Sequence, residues 1–491
     1  MATGFDHLLS IQQTGIGKGR VGEPPSPGDG QVGIKVKAAI FFDGTGNNQR
    51  NVTKRLKDSS YMEPHWYSKK TTWSDQALDN YDSYAQYFSN VAILYFMHDV
   101  HLPGEKIVSV YMEGIGTSND GPDDVPGSGF GAGPAGVVGK VNRGIEKLVQ
   151  QVKTKYKSSR KEYLEELTVC VFGFSRGAAA ARHFCARRTN PRGRQSSLCQ
   201  ALGVPSSVVK IKFVGLFDSV SSFDETGEET PADPTDTSYV LKANRHRKAN
   251  EGDKQFLNDV AELHLTLDDP TLGKVVHLMA ADEYRLNFTS TTIASALQRC
   301  TGLEVKLPGA HSDVGGGYAL RVVEDRKYGL GEVPRQLFDF FKNLGWYLPE
   351  QGTNQYEPSG DDEHPLPYIL GHREIANTYQ YVALHLMRKL AGLAHSGMRF
   401  STPDQDKDQA EEERHIKCYL VPGTRLAAIQ AQLEHFVLAR YNETTSLTAP
   451  LPEAHYRWLR QHYLHLSWSD RTGFEYRKDA QGLPTRKSIV G

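Results

Sequence analysis

The chain has no paired cysteines to build with. Its five, Cys170, Cys185, Cys199, Cys300 and Cys418, include no C-x-x-C pair, which argues against a structural zinc site and against a disulfide framework. Neither charge is in surplus: Lys+Arg 57 against Asp+Glu 58 leaves a formal net charge of -1. So weak a global field offers no attraction to nucleic acid or to an acidic membrane, and any basic patch must be local. No apolar run approaches the length of a membrane span. The opening stretch MATGFDHLLSIQQTGIGKGRVGEPPSPGDG lacks the basic segment and apolar core of a secretory signal, so export would need another route. No repeat at a fixed period is visible. What is there is a chain of 491 residues, 38% hydrophobic and 23% charged, with ample apolar residues for a core.

Residues 1–32 are rich in Gly, Pro and polar residues and read as a mobile tail. Beyond them, apolar runs alternate with segments of helical spacing. VKAAIFF, KIVSVYMEGIG, LTVCVF, VKIKFVGLF, VVHLMA and LEVKLPG read as strands; YAQYFSNVAILYFMHDV, VVGKVNRGIEKLVQQVKTKY and the segment from Arg176 read as helices. A polar insertion lies near 224–256. This alternation predicts an α/β unit over 33–320, a mostly parallel sheet with helices on both faces, whose ligands gather at the carboxyl ends of the strands. From 321 to 491 the periodic segments PRQLFDFFKNLG, IANTYQYVALHLMRKLAGLAH and RLAAIQAQLEHFVLARY predict a mostly helical region.

The stretch TVCVFGFSRGAAAAR, residues 168–182, runs a strand straight into Gly173-Phe174-Ser175-Arg176-Gly177 and then into alanines. A glycine two residues either side of a serine is what a tight strand-to-helix turn needs if the hydroxyl is to stand above the sheet. The small residues after it let the helix lie close to neighbouring strands, and the amide of Arg176 points where an oxyanion would form. Ser175 is therefore the candidate nucleophile; the competing reading is a plain turn residue.

A serine nucleophile needs a base and a group to orient it, in chain order Ser, acid, His. His311, in LPGAHSDVGGGY, ends a strand ahead of a triple glycine and could reach back to Ser175. Two acids compete: Asp218, after VKIKFVGLF, and Asp282, after VVHLMA. Either could instead cap a helix. Asp43, in FFDGTGNN, lacks the second carboxylate of an aspartyl-phosphate site and the lysine of a phosphate loop. Its loop could donate a second oxyanion amide near Gly44 and Thr45, with Asp43 itself supporting the loop. HDVH, with His98 and His101, and KANRHRK, at 242–248, form no metal or nucleic-acid signature.

FFDGTGNN, SNVAILY, GFSRGAAAAR, FVGLFDSVSSF and LPGAHSDVGGGY, in this order, resemble a family of α/β-hydrolase-like proteins with a domain of initially unknown function (DUF2235), which includes the Tle1-like type VI secretion lipase effectors. The resemblance covers roughly residues 33–320. It implies an α/β-hydrolase-like fold and a phospholipase A acting on membrane glycerophospholipids, with no cofactor, no metal and no nucleic-acid partner. It also implies synthesis in the bacterial cytoplasm, delivery by a secretion spike or tube component into the periplasm of rival cells, and a cognate immunity protein. Carried over by motif, the nucleophile matches Ser175, the acid Asp218 and the base His311, with Asp282 as the substitute acid and Asp313 beside the base as a supporting residue. The chain departs from the family pattern at LMAADEYRLNF, where relatives tend to be more basic, and at the polar insertion. The helices after 320 and the Gly-rich loop at 121–136 are the expected cap or lid. The alternatives are a soluble esterase with the same triad, and a non-catalytic hydrolase-like scaffold in which Ser175 lacks a histidine within hydrogen-bond reach.

Overall fold

Strand β1 (Val32–Phe42) shows why these stretches read as continuous apolar runs. Val36, Ala38, Ile40 and Phe42 enter one core cluster, while Ala39 and Phe41 enter another on the opposite face. A strand buried on both sides cannot alternate apolar with polar residues. The computed structural model describes residues 31–57, 82–121, 123, 136–156, 161–221, 260, 263–286, 288–329, 332–357, 366–401, 418, 420–468 and 476–491. Residues 1–30 of the expected tail, most of the Gly-rich loop, the polar insertion and the KANRHRK stretch lie outside them, while Val32, expected in the tail, begins β1.

The central sheet joins β1 to β2 (Ile107–Met112), β3 (Glu162–Phe174), β4 (Val209–Phe217), β5 (Lys274–Ala280), β7 (Gly302–Leu307) and β11 (Thr445–Thr448), in the order β11-β7-β5-β4-β3-β1-β2. Every pairing in it is parallel. A two-residue strand, β6 (Ser290–Thr291), lies outside that sheet. From β1 the chain crosses to β2 on one side and returns to β3 on the other, so the loops after β1 and β3 separate at their carboxyl ends. In open α/β sheets that is where a crevice forms.

Helices cover both faces. Those labelled here are α1 (Gln49–Lys57), α2 (Asn90–Met97), α3 (Val137–Lys155) and α4 (Arg176–Ala186), then α5 (His311–Gly315), α6 (Glu332–Asn343), α7 (Gln380–Leu393), α8 (Arg425–Leu438) and α9 (Glu453–His462). The apolar sides of α3 and α4 pack on one face of the sheet, and those of α2, α7 and α8 on the other. Helix α2 is shorter than its apolar run suggests because Ser89 caps it, accepting from the amide of Ala92. Phe41 of β1 and Phe172 of β3 stack at 5.0 Å with an interplanar angle of 9°, tying the two central strands together. Among the described residues no helix is long and apolar enough to cross a membrane.

The expectation of a mostly helical 321–491 region needs correction. Besides α6 to α9 it contains an antiparallel sheet of β8 (Arg321–Gly329), β9 (Gly352–Glu357) and β10 (Leu366–Ala376), in the order β8-β10-β9. It also supplies β11 and the short strands β12 (Arg477–Lys478), β13 (Pro484–Thr485) and β14 (Ser488–Ile489). Strands β8 to β10 carry many charged and polar residues, so the apolar signal of a buried strand is weak in them. Nor does 320 separate two cores: Tyr328, Phe341, Tyr379 and Leu433 share one cluster with Phe172 and Val276 of the central sheet. Helix α7 is buried along most of its length and serves as core, not as an exposed cap.

Candidate active site

Ser175 sits between β3 and α4 with φ 58° and ψ -128°, a left-handed conformation that a residue with a Cβ adopts only under constraint. The flanking glycines explain how the turn closes. A Cβ on Gly173 would lie 2.4 Å from the carbonyl oxygen of Gly177, and one on Gly177 would lie 2.2 Å from that of Asp43. Helix α4 thus presses directly onto the end of β1, and Gly177 through Ala181 are buried. In this first helical turn the Arg176 amide has no intrahelical acceptor.

Strand register brings Asp218 alongside. Phe174 pairs with Phe217, so Ser175 and Asp218 leave adjacent strands at the same edge, and the Ser175 amide donates to the Phe217 carbonyl at 3.0 Å. His311 begins α5 after β7, and its Nδ1 donates to Asp218 Oδ2 at 2.6 Å. With Nδ1 carrying the proton, Nε2 is the ring's basic nitrogen. The imidazole is wedged between the rings of Phe174, at 4.6 Å, and Phe288, at 4.9 Å. Ser175 and His311 are each 4% exposed and Asp218 is 0% exposed. Ser175 Oγ and His311 Nε2 form no hydrogen bond with one another among the described residues; such bonds are often long before substrate arrives.

Burial alone would raise the proton affinity of Asp218. The charge of Arg486 and the His311 bond outweigh it, holding the carboxyl well below the usual carboxylate range. Arg486 donates to both carboxylate oxygens, Nη1 to Oδ1 and Nη2 to Oδ2, each at 2.8 Å. Burial acts on His311 in the opposite sense, lowering its proton affinity from that of an ordinary imidazole despite the hydrogen bond and charge of Asp218. These groups can take a proton from a hydroxyl, stabilise the imidazolium that results and return the proton to a leaving group.

Asp282, the other acid weighed, is brought to a different task. Its Oδ1 accepts from Arg460 at 2.9 Å, and its Oδ2 accepts from Tyr456 at 2.6 Å and from the Gly309 amide at 2.7 Å. It therefore anchors α9 to the loop that leads into α5. Asp313 accepts from the Ala310 amide at 2.8 Å and from His465, the amide at 2.9 Å and Nδ1 at 2.6 Å. That bonding supports the turn carrying His311. Asp43 accepts from Gly44, Ser89 Oγ and Tyr111 Oη at 2.7, 2.6 and 2.5 Å. Burial raises its pKa from 3.8 to about 6 against the pull of those donors.

The loop after β1 differs in detail from the expectation. Gly44 spends its amide on Asp43, and the amides of Gly46 and Asn47 donate to Ile115 and Gly44 carbonyls. Of the two expected donors, only the Thr45 amide has no hydrogen bond among the described residues. The Arg176 side chain holds this loop, donating from Nε to Thr45 Oγ1 at 2.7 Å. Sequence reasoning missed that link, and it missed Ser89, Tyr111, Glu283 and Arg486. Glu283 accepts from the His311 amide at 3.2 Å. Burial would raise it, but Arg285 holds it down at about 2. No motif flags Arg486, which reaches the site from far along the chain.

The histidines of HDVH add no chemistry to the site, and KANRHRK lies outside the described residues. His98 is buried with Nε2 3.2 Å from Met398 Sδ, and burial lowers it to about 4; His101 is exposed. Among the described residues no group of three or more His, Cys, Asp or Glu is placed to hold a metal ion.

Comparison with known proteins gives two kinds of likeness. The family model for the catalytic domain of Tle1-like phospholipase effectors of the type VI secretion system matches residues 37–189 and 185–328. A solved structure of the Tle1 effector bound to the VgrG spike from the type 6 secretion system is 19% identical, covers 94% of each chain and superposes with a TM-score of 0.54. At that identity it speaks to the fold, a largely parallel α/β-hydrolase-like sheet. An uncharacterized protein from Pseudomonas aeruginosa, 16% identical over 84% of this chain and 53% of its own, reaches a TM-score of only 0.41 and carries no weight here. No curated protein matches the chain.

Proposed function

The chain belongs to the Tle1-like phospholipase effectors of the type VI secretion system, and from that membership we propose that it is a serine-dependent phospholipase A that attacks the membranes of rival bacteria. The observation that carries the proposal is the 2.6 Å bond from His311 to Asp218, at the same sheet edge where Ser175 stands in a left-handed turn. A buried acid–imidazole pair at the sheet edge that carries a strained serine favours catalysis over a non-catalytic scaffold, and the activity of the Ser175 and His311 variants below discriminates the two, since the Ser175–His311 bond itself is not formed among the described residues.

The reaction is acyl transfer in two steps. Ser175 Oγ attacks the carbonyl carbon of an acyl ester while His311 Nε2 takes the hydroxyl proton. Asp218 keeps the ring in the tautomer that leaves Nε2 free and stabilises the imidazolium. The amides of Arg176 and Thr45 donate to the oxyanion. As the tetrahedral intermediate collapses, Nε2–H protonates the departing lysophospholipid oxygen. Water then attacks the acyl-enzyme with the same base, releasing a fatty acid and restoring Ser175. The donors are backbone groups already held by α4 and the β1 loop, so little reorganisation is needed as charge develops.

By family, the enzyme travels on a secretion spike or tube component into the target periplasm, and a cognate immunity protein protects the producer. The likeness to an effector bound to VgrG supports a spike component as carrier. The test is release of free fatty acid from phosphatidylethanolamine–phosphatidylglycerol vesicles by wild type and by Ser175→Ala, His311→Ala, Asp218→Asn and Asp282→Asn, each checked for folding. We expect the first three to lose at least about 10³-fold and Asp282→Asn to keep its activity per folded molecule. Cleavage of short-chain esters alone would sink the lipid assignment, and no cleavage at all would favour a binding scaffold.

A further inference from the structure

We propose that Arg486 is a positioning residue for the catalytic acid: its guanidinium fixes the plane in which Asp218 receives His311 and supplies the charge that keeps this buried carboxylate ionised. The proposal rests on the Ser175, His311, Asp218 reading above.

Three observations support it. First, the contact is bidentate, with Nη1 to Oδ1 and Nη2 to Oδ2 each at 2.8 Å, and the side chains are 10% and 0% exposed. A fork of this kind sets orientation as well as energy. Second, the oxygen that Nη2 contacts is the one that accepts His311 Nδ1. Among the described residues, the carboxylate without Arg486 would keep only the His311 bond and that of the Ala280 amide at 3.0 Å, few donors for a buried anion with about four acceptor sites. Third, Arg486 donates to the carbonyls of Ala280 at 2.7 Å and Phe288 at 3.1 Å. The Phe288 ring meets His311 edge to face, with Arg285 stacked 3.4 Å over it. One guanidinium therefore ties together the acid, the strand end beneath it and the loop that bears on the base.

The segment carrying Arg486 is held without it. Strand β14 pairs with β6, the Ser290 amide donates to the Lys487 carbonyl at 3.0 Å, and β12 pairs with β13. Removing the guanidinium thus tests its charge and geometry while the backbone keeps its own anchors.

Charged groups around His311 come from several elements: Asp218 after β4, Glu283 and Arg285 after β5, and Arg486 between β13 and β14. Taking away Arg486 leaves the Asp218 carboxylate more basic, which favours a proton on Asp218 or on His311. Either outcome removes the active form as pH falls, so the acid limb of activity must move upward.

The experiment compares kcat/KM against pH for wild type, Arg486→Met, Arg486→Lys and Arg486→Ala, on a short-chain nitrophenyl ester and on phosphatidylethanolamine–phosphatidylglycerol vesicles, with Ser175→Ala and His311→Ala as controls. Arg486→Met should lose about 10- to 100-fold at neutral pH, with its acid limb displaced upward by about one pH unit. Arg486→Lys should recover part of the activity and most of the limb, having the charge without the fork. Guanidinium ion at sub-denaturing concentration should raise the activity of Arg486→Ala. A wild-type limb in a folded Arg486→Met, or equal losses in Met and Lys variants with no displacement, would overturn the proposal and leave a merely structural arginine. Wild-type activity in Ser175→Ala or His311→Ala would instead overturn the triad on which it rests.

Discussion

Asp43 offers a test that can be worked from the structure. Its carboxyl, 2% exposed beneath the loop that carries Thr45, has an ordinary pKa of 3.8 that burial raises to about 6. In the unfolded chain the group gives up its proton near pH 4; in the folded protein it keeps it until near pH 6. Between those values the native state binds more protons than the unfolded state, so stability from this group falls as pH rises, then levels off above about 6. At 1.36 kcal/mol per pH unit, the gap amounts to about 3 kcal/mol.

Asp43→Asn removes the titration while keeping an oxygen that can accept from Gly44 or Ser89. It loses the acceptor that Tyr111 Oη uses at 2.5 Å, so its stability at pH 4 should lie below that of wild type. The measurement is urea unfolding of both proteins from pH 4 to pH 7.5. Subtracting one curve from the other cancels every other titrating group. We expect the variant to gain on wild type by about 2.4 kcal/mol between pH 4 and pH 7, the rest of the gap falling below pH 4. A difference that stays flat across that range would refute the reasoning, because it would mean that Asp43 ionises at the same pH folded and unfolded.

Gly177→Ala should destabilise the fold by about 3 kcal/mol and depress turnover, since its Cβ would meet the Asp43 and Phe42 carbonyl oxygens at 2.2 and 2.4 Å and neither backbone can yield cheaply; thermal unfolding and ester hydrolysis check both. At Ser175 the usual helix order should invert, with Ser175→Gly more stable than Ser175→Ala by about 1 kcal/mol, because φ 58° strains any residue with a Cβ. Alanine the more stable of the two in urea unfolding would count against that strain. Asp282→Asn should lose about 3 kcal/mol of stability by stranding Arg460, which is 7% exposed. A variant of unchanged stability would show that this ion pair does not anchor α9.

The central sheet was legible in the sequence because its strands are buried on both faces, which leaves long apolar runs that solvent-facing elements never produce. The turn at Ser175 was legible for a steric reason: only glycine fits where Gly173 and Gly177 meet backbone at 2.4 and 2.2 Å. His311 and both candidate acids could be placed at the carboxyl edge, since each directly follows or closely trails an apolar strand. The sheet in the 321–491 region was hidden, because strands such as RVVEDRKYG expose charge and carry little apolar periodicity. Local sequence could not separate Asp218 from Asp282 either, as each ends a strand and each could cap or orient. Tertiary structure gives the two different surroundings through groups distant in the chain: Arg460 and Tyr456 engage Asp282, while His311 and Arg486 converge on Asp218. The same holds for the loop after β1, whose glycine suggested an amide donor that the folded Asp43 side chain already occupies. Strand burial and close backbone approach are written locally, in the residues that experience them. The protonation and orientation of a buried carboxylate belong to whatever the fold places around it.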